Sequence, residues 1–242
     1  MSIEKSKVLG ILGGLGPMAT AYFYELVIAH TKAERDQDHI DMVISSKATT
    51  PDRTAYITGQ SNEDPFGIME SEAHRLVTFG AEVIAIPCNT AHYFFTRLHE
   101  VIPIPVLNMV ELTVEKAAAL GCGKVGILAT DGTICTDTYQ HVCMAKHLAC
   151  EVPGAAGQAD VMQVIYRDIK GGRPPEMAAF HRAAEELFSA GCQRLILGCT
   201  ELSLLKKDGL LDERYLDSMD VLAEAAIAAC GKTPVGFAWP PV

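Results

Sequence analysis

The stretch Ile84-Ala85-Ile86-Pro87-Cys88-Asn89-Thr90-Ala91-His92 places a cysteine where a strand is expected to end and a helix to begin. The residues before it, 80–86, form a short apolar and β-branched run that predicts a buried parallel strand. Asn89 and Thr90 are candidates for a helix cap before the apolar and aromatic run 91–98. Backbone N–H groups and the helix dipole at such a position stabilise a thiolate, so the sequence predicts that Cys88 ionises near neutral pH.

A second copy of this arrangement occurs at 191–202, where Cys199 follows the apolar run R-L-I-L-G and precedes Thr200. The opening strand K-V-L-G-I-L at 7–12 is likewise echoed by K-V-G-I-L at 124–128. From Gly10 to Cys88 is 78 positions, and from Gly126 to Cys199 is 73. Two halves of similar size, each beginning with a glycine-containing strand and each carrying a cysteine after a later strand, indicate a weak internal duplication.

The duplicated pattern predicts an α/β protein of two pseudo-symmetric domains, each a parallel sheet flanked by helices, with the active site in the cleft between them. The proline-stiffened segment 102–107 is the expected boundary. We therefore expect the first domain to comprise 1–107 together with about 216–242, and the second domain to comprise 108–215.

Charge and composition limit the function. The chain has 242 residues, a net charge of −10 and a pI near 5.2, which argue against binding to nucleic acid or to anionic membranes because both require a basic face. It contains no run of about 18 apolar residues and no recognisable export signal, so we expect a cytoplasmic protein. The eight cysteines should then be mostly reduced.

The motifs do not indicate a cofactor or a metal. The glycine loop 14–19 fits the loose dinucleotide pattern, but the following strand, predicted at 40–44, ends in Ser45-Ser46 instead of the acidic residue that binds a ribose. Cys143, His147 and Cys150 share a helical face, yet structural zinc sites usually combine two such clusters. No lysine is marked as a pyridoxal site.

Two opposed thiols suit inversion at an α-carbon, because one removes a proton from one face while the other returns a proton to the opposite face. Such sulfur atoms should lie roughly 6–8 Å apart across the cleft. Asn89, Thr90 and Thr200, beside the two cysteines, are candidate donors to the substrate carboxylate as negative charge develops on it.

Four motifs resemble the aspartate/glutamate racemase family, and most closely its aspartate racemase branch: G-I-L-G-G-L-G-P-M-A-T at 10–20, P-D-R-T at 51–54, P-C-N-T-A-H at 87–92 and L-G-C-T-E-L at 197–202. The resemblance covers nearly the whole chain, and the two cysteine motifs are its most specific parts. It implies a cofactor-independent racemase acting on a small acidic amino acid, usually as a dimer, with Cys88 and Cys199 as the catalytic pair.

The same resemblance implies that Arg53 and Lys170 hold the side-chain carboxylate of the substrate. From the residues alone, Arg53 could equally be a solvated loop charge or a salt-bridge partner of Asp52. The expected substrate-binding set is completed by three further residues in the loops that open the two halves: Gly14, Met18 and Thr133.

One departure leaves the substrate open, since 45–48 reads S-S-K-A where this family often has an asparagine. Glutamate racemases proper are less similar, because they carry an acid and a serine in the opening loop and a histidine in place of Glu201. The alternatives are a racemase or isomerase of another amino acid, or a non-catalytic amino-acid-binding protein with buried structural cysteines. Two thiols argue against decarboxylase relatives, which need only one.

Overall fold

The computed structural model describes residues 6–242, and the strands of this part of the chain form two wholly parallel sheets. The first sheet has the strand order β2-β1-β3 and the second the order β5-β4-β6-β7. The strands are β1 (Leu9–Gly13), β2 (Met42–Ser46), β3 (Val83–Ala85), β4 (Lys124–Ala129), β5 (Ala149–Glu151), β6 (Arg194–Gly198) and β7 (Tyr215–Asp217).

Helices flank both sheets. They are α1 (Pro17–His30), α2 (Arg53–Ile57), α3 (Phe66–Thr78), α4 (Phe95–Val101), α5 (Met109–Ala119), α6 (Asp131–Cys135), α7 (Thr138–Ala145), α8 (Ala155–Met162), α9 (Met177–Ser189), α10 (Thr200–Lys207) and α11 (Ser218–Ala229). Short 3-10 helices lie at Asp36–Asp38 and Thr90–Phe94, and a π-helix, Gln163–Lys170, continues α8. Among residues 6–242, none of the helices combines the length and the apolar character that a membrane span requires.

The two halves have equivalent topology, which confirms the predicted fold class. In each sheet the strand that opens the half is central, with β1 between β2 and β3 and β4 between β5 and β6. The proline-containing segment 102–107, before α5, makes the two sheets still more alike. Ile84 donates its N–H to the carbonyl of Pro105 (2.9 Å), and its own carbonyl accepts the N–H of Leu107 (2.8 Å). This segment therefore lies beside β3 as β7 lies beside β6.

The helix that follows each of these outer segments, α5 after 102–107 and α11 after β7, packs against the sheet of the other half. Helix α11 packs into the core of the first sheet, where Leu222 is buried with Leu9. Helix α5 packs into the core of the second sheet, where Val114 is buried with Ile127. Strand β7 belongs to the second sheet, so the return of the chain to the first sheet begins at Ser218. The domain limits at 107 and near 216 stay a prediction.

Local chemistry explains several boundaries, although one predicted cap is wrong. Asp52 caps α2 by accepting the N–H of Ala55 at 2.8 Å, as Asn and Asp side chains do at helix N-termini. Asn89 makes no such bond, and the chain after it forms the 3-10 helix before α4 begins. The cap is missing because the Asn89 side chain is engaged by other parts of the fold, as described below.

Candidate functional site

Cys88 and Cys199 line the same small cavity between the two halves. Cys199 follows β6 directly, and Cys88 lies three residues beyond β3, so both are at the carboxyl ends of parallel strands. Both residues are more than nine-tenths buried. The predicted residues that line the cavity with them are Arg53, Asn89, Thr90, Lys170 and Thr200.

The cavity is narrow. Its volume is about 10 Å³, which is room for about one water molecule. A larger cavity of about 400 Å³ adjoins it and shares Arg53, Lys170 and Glu201 with it. Gly14 and Met18 line this outer cavity and not the inner one. The inner site therefore has an antechamber on the side of the opening glycine loop, through which a ligand could approach.

Cys199 is paired with Glu201, a residue that sequence reasoning did not place in the site. The Cys199 thiol donates to Glu201 Oε2 at 2.9 Å. Burial, together with this carboxylate, raises the pKa of Cys199 well above its usual value. Cys199 therefore differs from the thiol that a helix N-terminus would give, because desolvation and a neighbouring negative charge outweigh the helix N-terminus.

Lys170 lies between carboxylates from both halves. Its Nζ is 3.9 Å from Glu201 Oε1 and 3.8 Å from Asp52 Oδ2. Tyr166, one turn earlier on the π-helix, donates from its hydroxyl to Asp52 at 3.2 Å. Burial alone would lower the pKa of Lys170, but Glu201 and the other nearby anionic groups outweigh burial and raise it. Lys170 is therefore cationic, and with Tyr166 it joins the second half to the first across the cavity wall.

Arg53 is a buried cation without a carboxylate partner among residues 6–242. Its guanidinium donates to the main-chain oxygens of Leu15 (2.6 Å), Pro51 (2.9 Å) and Thr50 (3.3 Å). Its Nε is buried and makes no hydrogen bond within the described chain. Arg53 and Asp52, which the sequence allowed as a salt bridge, form no ion pair within residues 6–242, and Asp52 lies near Lys170 instead. The positive charge of Arg53 is thus available to an anionic ligand.

The hydroxyl groups near Cys88 form a neutral cluster across the halves. Thr90 Oγ1 is 2.9 Å from Thr130 Oγ1 and 3.1 Å from Thr133 Oγ1. Thr133 supports this cluster but does not line the inner cavity, whereas Thr130 does. A side chain on Gly132 would place its Cβ 3.1 Å from the Thr90 methyl group, so the halves approach closely here. Cys88 itself is buried in the apolar core of the first sheet, whereas Cys199 contacts a carboxylate.

Several site residues were missed because their roles depend on contacts made only in the folded chain. Asp52 was considered only as a partner for Arg53, and Glu201 only as a departure from a related motif. Tyr166 and Thr130 carried no local signal. His92 has a usable signal in the sequence, its place four residues after Cys88 in P-C-N-T-A-H.

Two equivalent α/β halves, each presenting one buried cysteine to a shared narrow cavity, define a duplicated α/β protein with a site at the carboxyl ends of its strands. Residues 12–226 match the sequence profile of the Asp/Glu/hydantoin racemase family. The chain belongs to this family and is an amino-acid racemase.

Individual relatives agree with this assignment. The broad specificity amino-acid racemase RacX of Bacillus subtilis is 27% identical over 227 residues, covering 91% of this chain and 97% of the relative. The structure of Picrophilus torridus aspartate racemase is 28% identical with a TM-score of 0.80, covering 95% of this chain and 96% of that one. Glutamate racemase from Francisella tularensis, at 17% identity and a TM-score of 0.64, shares the fold, covering 98% of this chain and 86% of its own.

Proposed function

We propose that this racemase interconverts L- and D-aspartate, with glutamate as the other acidic candidate, by removing the α-proton with one of Cys88 and Cys199 and returning a proton from the other. One observation supports the proposal: both cysteines and the cation Arg53, which has no carboxylate partner among residues 6–242, line a single narrow cavity. Two thiols supply a proton acceptor and a proton donor, and the cation supplies a site for a second carboxylate.

Each direction of the reaction uses one thiolate and one thiol. In one direction the Cys88 thiolate accepts the α-proton, and the C–H electron pair passes into the α-carboxylate to form an enolate. The Cys199 thiol then gives its proton to the opposite face of the α-carbon, and Cys199 is left as the thiolate. The reverse direction exchanges the two roles.

The Glu201 contact supports an assignment of roles to the two cysteines. Since Cys199 donates its S–H to Glu201 at 2.9 Å, we assign it as the first proton donor and Cys88 as the first base. When Cys199 must act as a base, Glu201 Oε2 is placed to accept its proton. The predicted separation of 6–8 Å between the sulfur atoms remains part of this proposal.

The substrate class rests on the charges of the site. Lys170 already shares its charge between Asp52 and Glu201, so Arg53 is the stronger candidate for the side-chain carboxylate. The named activity of the Picrophilus torridus relative supports aspartate. Similarity to RacX favours a second candidate, a racemase of wider amino-acid range, which a substrate panel would identify.

The remaining features of the proposal concern assembly, compartment and cofactors. All eight cysteines, which lie within the described residues, are free, and this favours a reducing compartment such as the cytoplasm. We place the enzyme there as a homodimer, for which sedimentation equilibrium should give about twice the chain mass of 26.1 kDa. Proton transfer between two thiols requires neither a metal nor pyridoxal phosphate.

The test uses purified protein dialysed against a chelator and assayed without added pyridoxal phosphate. Chiral chromatography follows a panel of single enantiomers, and proton NMR in heavy water follows exchange of the α-proton. Cys88→Ser and Cys199→Ser should each abolish racemisation, because a serine hydroxyl is a much weaker acid than a thiol. Each variant should still exchange the α-proton of one enantiomer, and the two variants should act on opposite enantiomers.

Cys192→Ser is the matched control, because Cys192 is similarly buried but lies in the core of the second sheet away from the cavity. It should racemise aspartate normally. Racemisation by either active-site variant at near the parent rate would refute the two-thiol mechanism. Faster turnover of neutral amino acids than of aspartate would refute the acidic substrate and leave the wider range.

A further inference from the structure

The main-chain carbonyl of Cys88 is bound by the imidazole ring of His92. His92 Nδ1 lies 2.9 Å from this oxygen, and the N–H of Met109 donates to His92 Nε2 at 3.0 Å. A backbone N–H can only donate, so Nε2 is the acceptor and Nδ1 carries the ring proton. His92 therefore donates to the Cys88 carbonyl.

The protonation state of this ring is stable. His92 is buried, and burial lowers its pKa, so the ring remains neutral around pH 7. A neutral ring with Nε2 occupied as an acceptor keeps its one proton on Nδ1. The hydrogen bond to Cys88 is consequently directional, and it joins the cysteine to Met109 at the start of α5, the helix that packs on the second sheet.

The other main-chain group of Cys88 is also bound. Its N–H donates to the carbonyl of Ile86 at 2.8 Å, which bends the chain tightly at Pro87. The side chain of the next residue, Asn89, accepts from the Tyr139 hydroxyl at 2.5 Å and donates to Ser218 Oγ at 3.0 Å. Main-chain and side-chain bonds therefore restrain Cys88 and the residue that follows it.

Cys199 is held in a different way. Its carbonyl accepts the main-chain N–H of Leu202 at 2.9 Å, an ordinary bond of the first turn of a helix. No side chain is needed for that contact. Removing a side-chain donor near Cys88 should thus loosen one cysteine and leave the other in place.

We propose that His92 is a positioning residue for proton transfer at Cys88, acting through the hydrogen bond from Nδ1 to the Cys88 carbonyl. This inference rests on the proposed two-cysteine mechanism and adds a residue to it. His92 does not line the inner cavity, and it acts by fixing the backbone from which the sulfur projects. A displacement of about 1 Å at a catalytic group can slow a reaction about 100-fold.

Two substitutions separate the two bonds of the ring. In His92→Asn, the side-chain N–H₂ can occupy the position of Nδ1 and keep the bond to Cys88. In His92→Gln, the longer side chain can keep an acceptor near the position of Nε2 and hence the bond from Met109. The pair therefore differs in the contact with Cys88 while both variants retain one buried hydrogen bond.

The test places each substitution in both single-cysteine backgrounds and measures α-proton exchange in heavy water. Exchange by Cys199→Ser reports on Cys88, and exchange by Cys88→Ser reports on Cys199. His92→Gln should slow maximal exchange about tenfold or more in the Cys199→Ser background, with little change in KM. His92→Asn should retain most of that exchange, and neither substitution should alter exchange in the Cys88→Ser background more than about twofold.

Rates are corrected for the folded fraction, measured by circular dichroism on each sample. Equal slowing in both backgrounds would assign His92 a merely structural role and overturn the proposal, as would unchanged exchange at Cys88 in His92→Gln. If neither parent single-cysteine variant exchanges an α-proton, the two-cysteine mechanism fails and the positioning role fails with it. Exchange by both parents with no difference between Asn and Gln would refute the positioning role alone.

Discussion

Cys88 and Cys199 follow equivalent strands, but their neighbouring side chains differ in charge. Cys199 contacts Glu201, which in turn is near Lys170, whereas the hydroxyl cluster near Cys88 is neutral. Both cysteines could be predicted, because a cysteine directly after an apolar strand pattern occurs twice in the sequence. Glu201 could not be predicted as a partner, because its effect depends on burial and on the orientation of its side chain toward the sulfur.

The first prediction concerns Arg53. We expect Arg53→Ala to raise the KM for aspartate roughly ten- to a hundredfold, since a hydrogen bond to a charged group contributes about 1.5–3 kcal/mol. A neutral amino acid should be affected far less, because it has no second carboxylate. Steady-state kinetics on both substrates provide the measurement, and equal losses on the two would contradict the assignment.

At the scale of elements, the opening glycine loop shows why glycine is required between β1 and α1. Gly14 has φ +78°, and a Cβ there would lie 2.3 Å from the main-chain nitrogen of Lys47. A Cβ on Gly16 would lie 2.8 Å from Glu201 Oε1. The loop therefore lies directly against Lys47, which follows β2, and against Glu201, which accepts the hydrogen bond of Cys199.

The second prediction uses two glycines of like conformation. Gly59 has φ +74° and open space around its Cβ position. Gly59→Ala should cost only the left-handed backbone strain, about 1 kcal/mol. Gly14→Ala should cost clearly more, about 2 kcal/mol or above, because main-chain atoms of Lys47 must also move. Urea denaturation of both variants measures the difference, and equal losses would show that the close approach is unimportant.

Elements with a local signal were predictable and those set by packing were not. The buried apolar strands and the duplicated order of elements followed from periodicity. The missing cap at Asn89 did not, because its side chain bonds Tyr139 and Ser218, which are 50 and 129 residues away in sequence. The π-helix at Gln163–Lys170, which presents Tyr166 and Lys170 to the cavity, has no sequence pattern that distinguishes it from an α-helix.

At the scale of the molecule, the narrow inner cavity requires the protein to move before a substrate can bind. A volume of about 10 Å³ cannot hold an amino acid, so side chains of the cavity wall, or the halves that carry them, must separate to admit one. No sequence pattern reports such a constriction, because it depends on how two halves are packed together. Opening of the cavity can therefore limit turnover.

The third prediction concerns pH and stability. Burial, together with Asp220, raises the pKa of Asp217 to about 7, and its Oδ2 makes no hydrogen bond within residues 6–242. The folded protein then holds a proton that the unfolded chain releases above its ordinary pKa of 3.8. This group's stabilisation is complete below about pH 4 and is lost as the pH rises toward 7, by about 1.4 kcal/mol per pH unit.

Asp217→Asn should remove that slope, so the free energy of unfolding should differ less between pH 5 and pH 7.5 in the variant than in the parent. Urea denaturation at the two pH values measures this difference. Asp208→Asn, at an exposed carboxylate of the same half, is the control and should keep the parent slope. An unchanged slope in Asp217→Asn would show that Asp217 is ionised throughout.

Thermodynamics limits how far the unequal surroundings of the two cysteines can make the kinetics of the two enantiomers differ. L and D enantiomers have the same free energy in water, so the equilibrium constant of racemisation is unity whatever the enzyme contributes. By the Haldane relation, kcat/KM must then be equal in the two directions. The charge of Glu201 beside Cys199 and the neutral cluster beside Cys88 can alter kcat and KM only together. The enantiomer with the lower KM must therefore have a proportionally lower kcat.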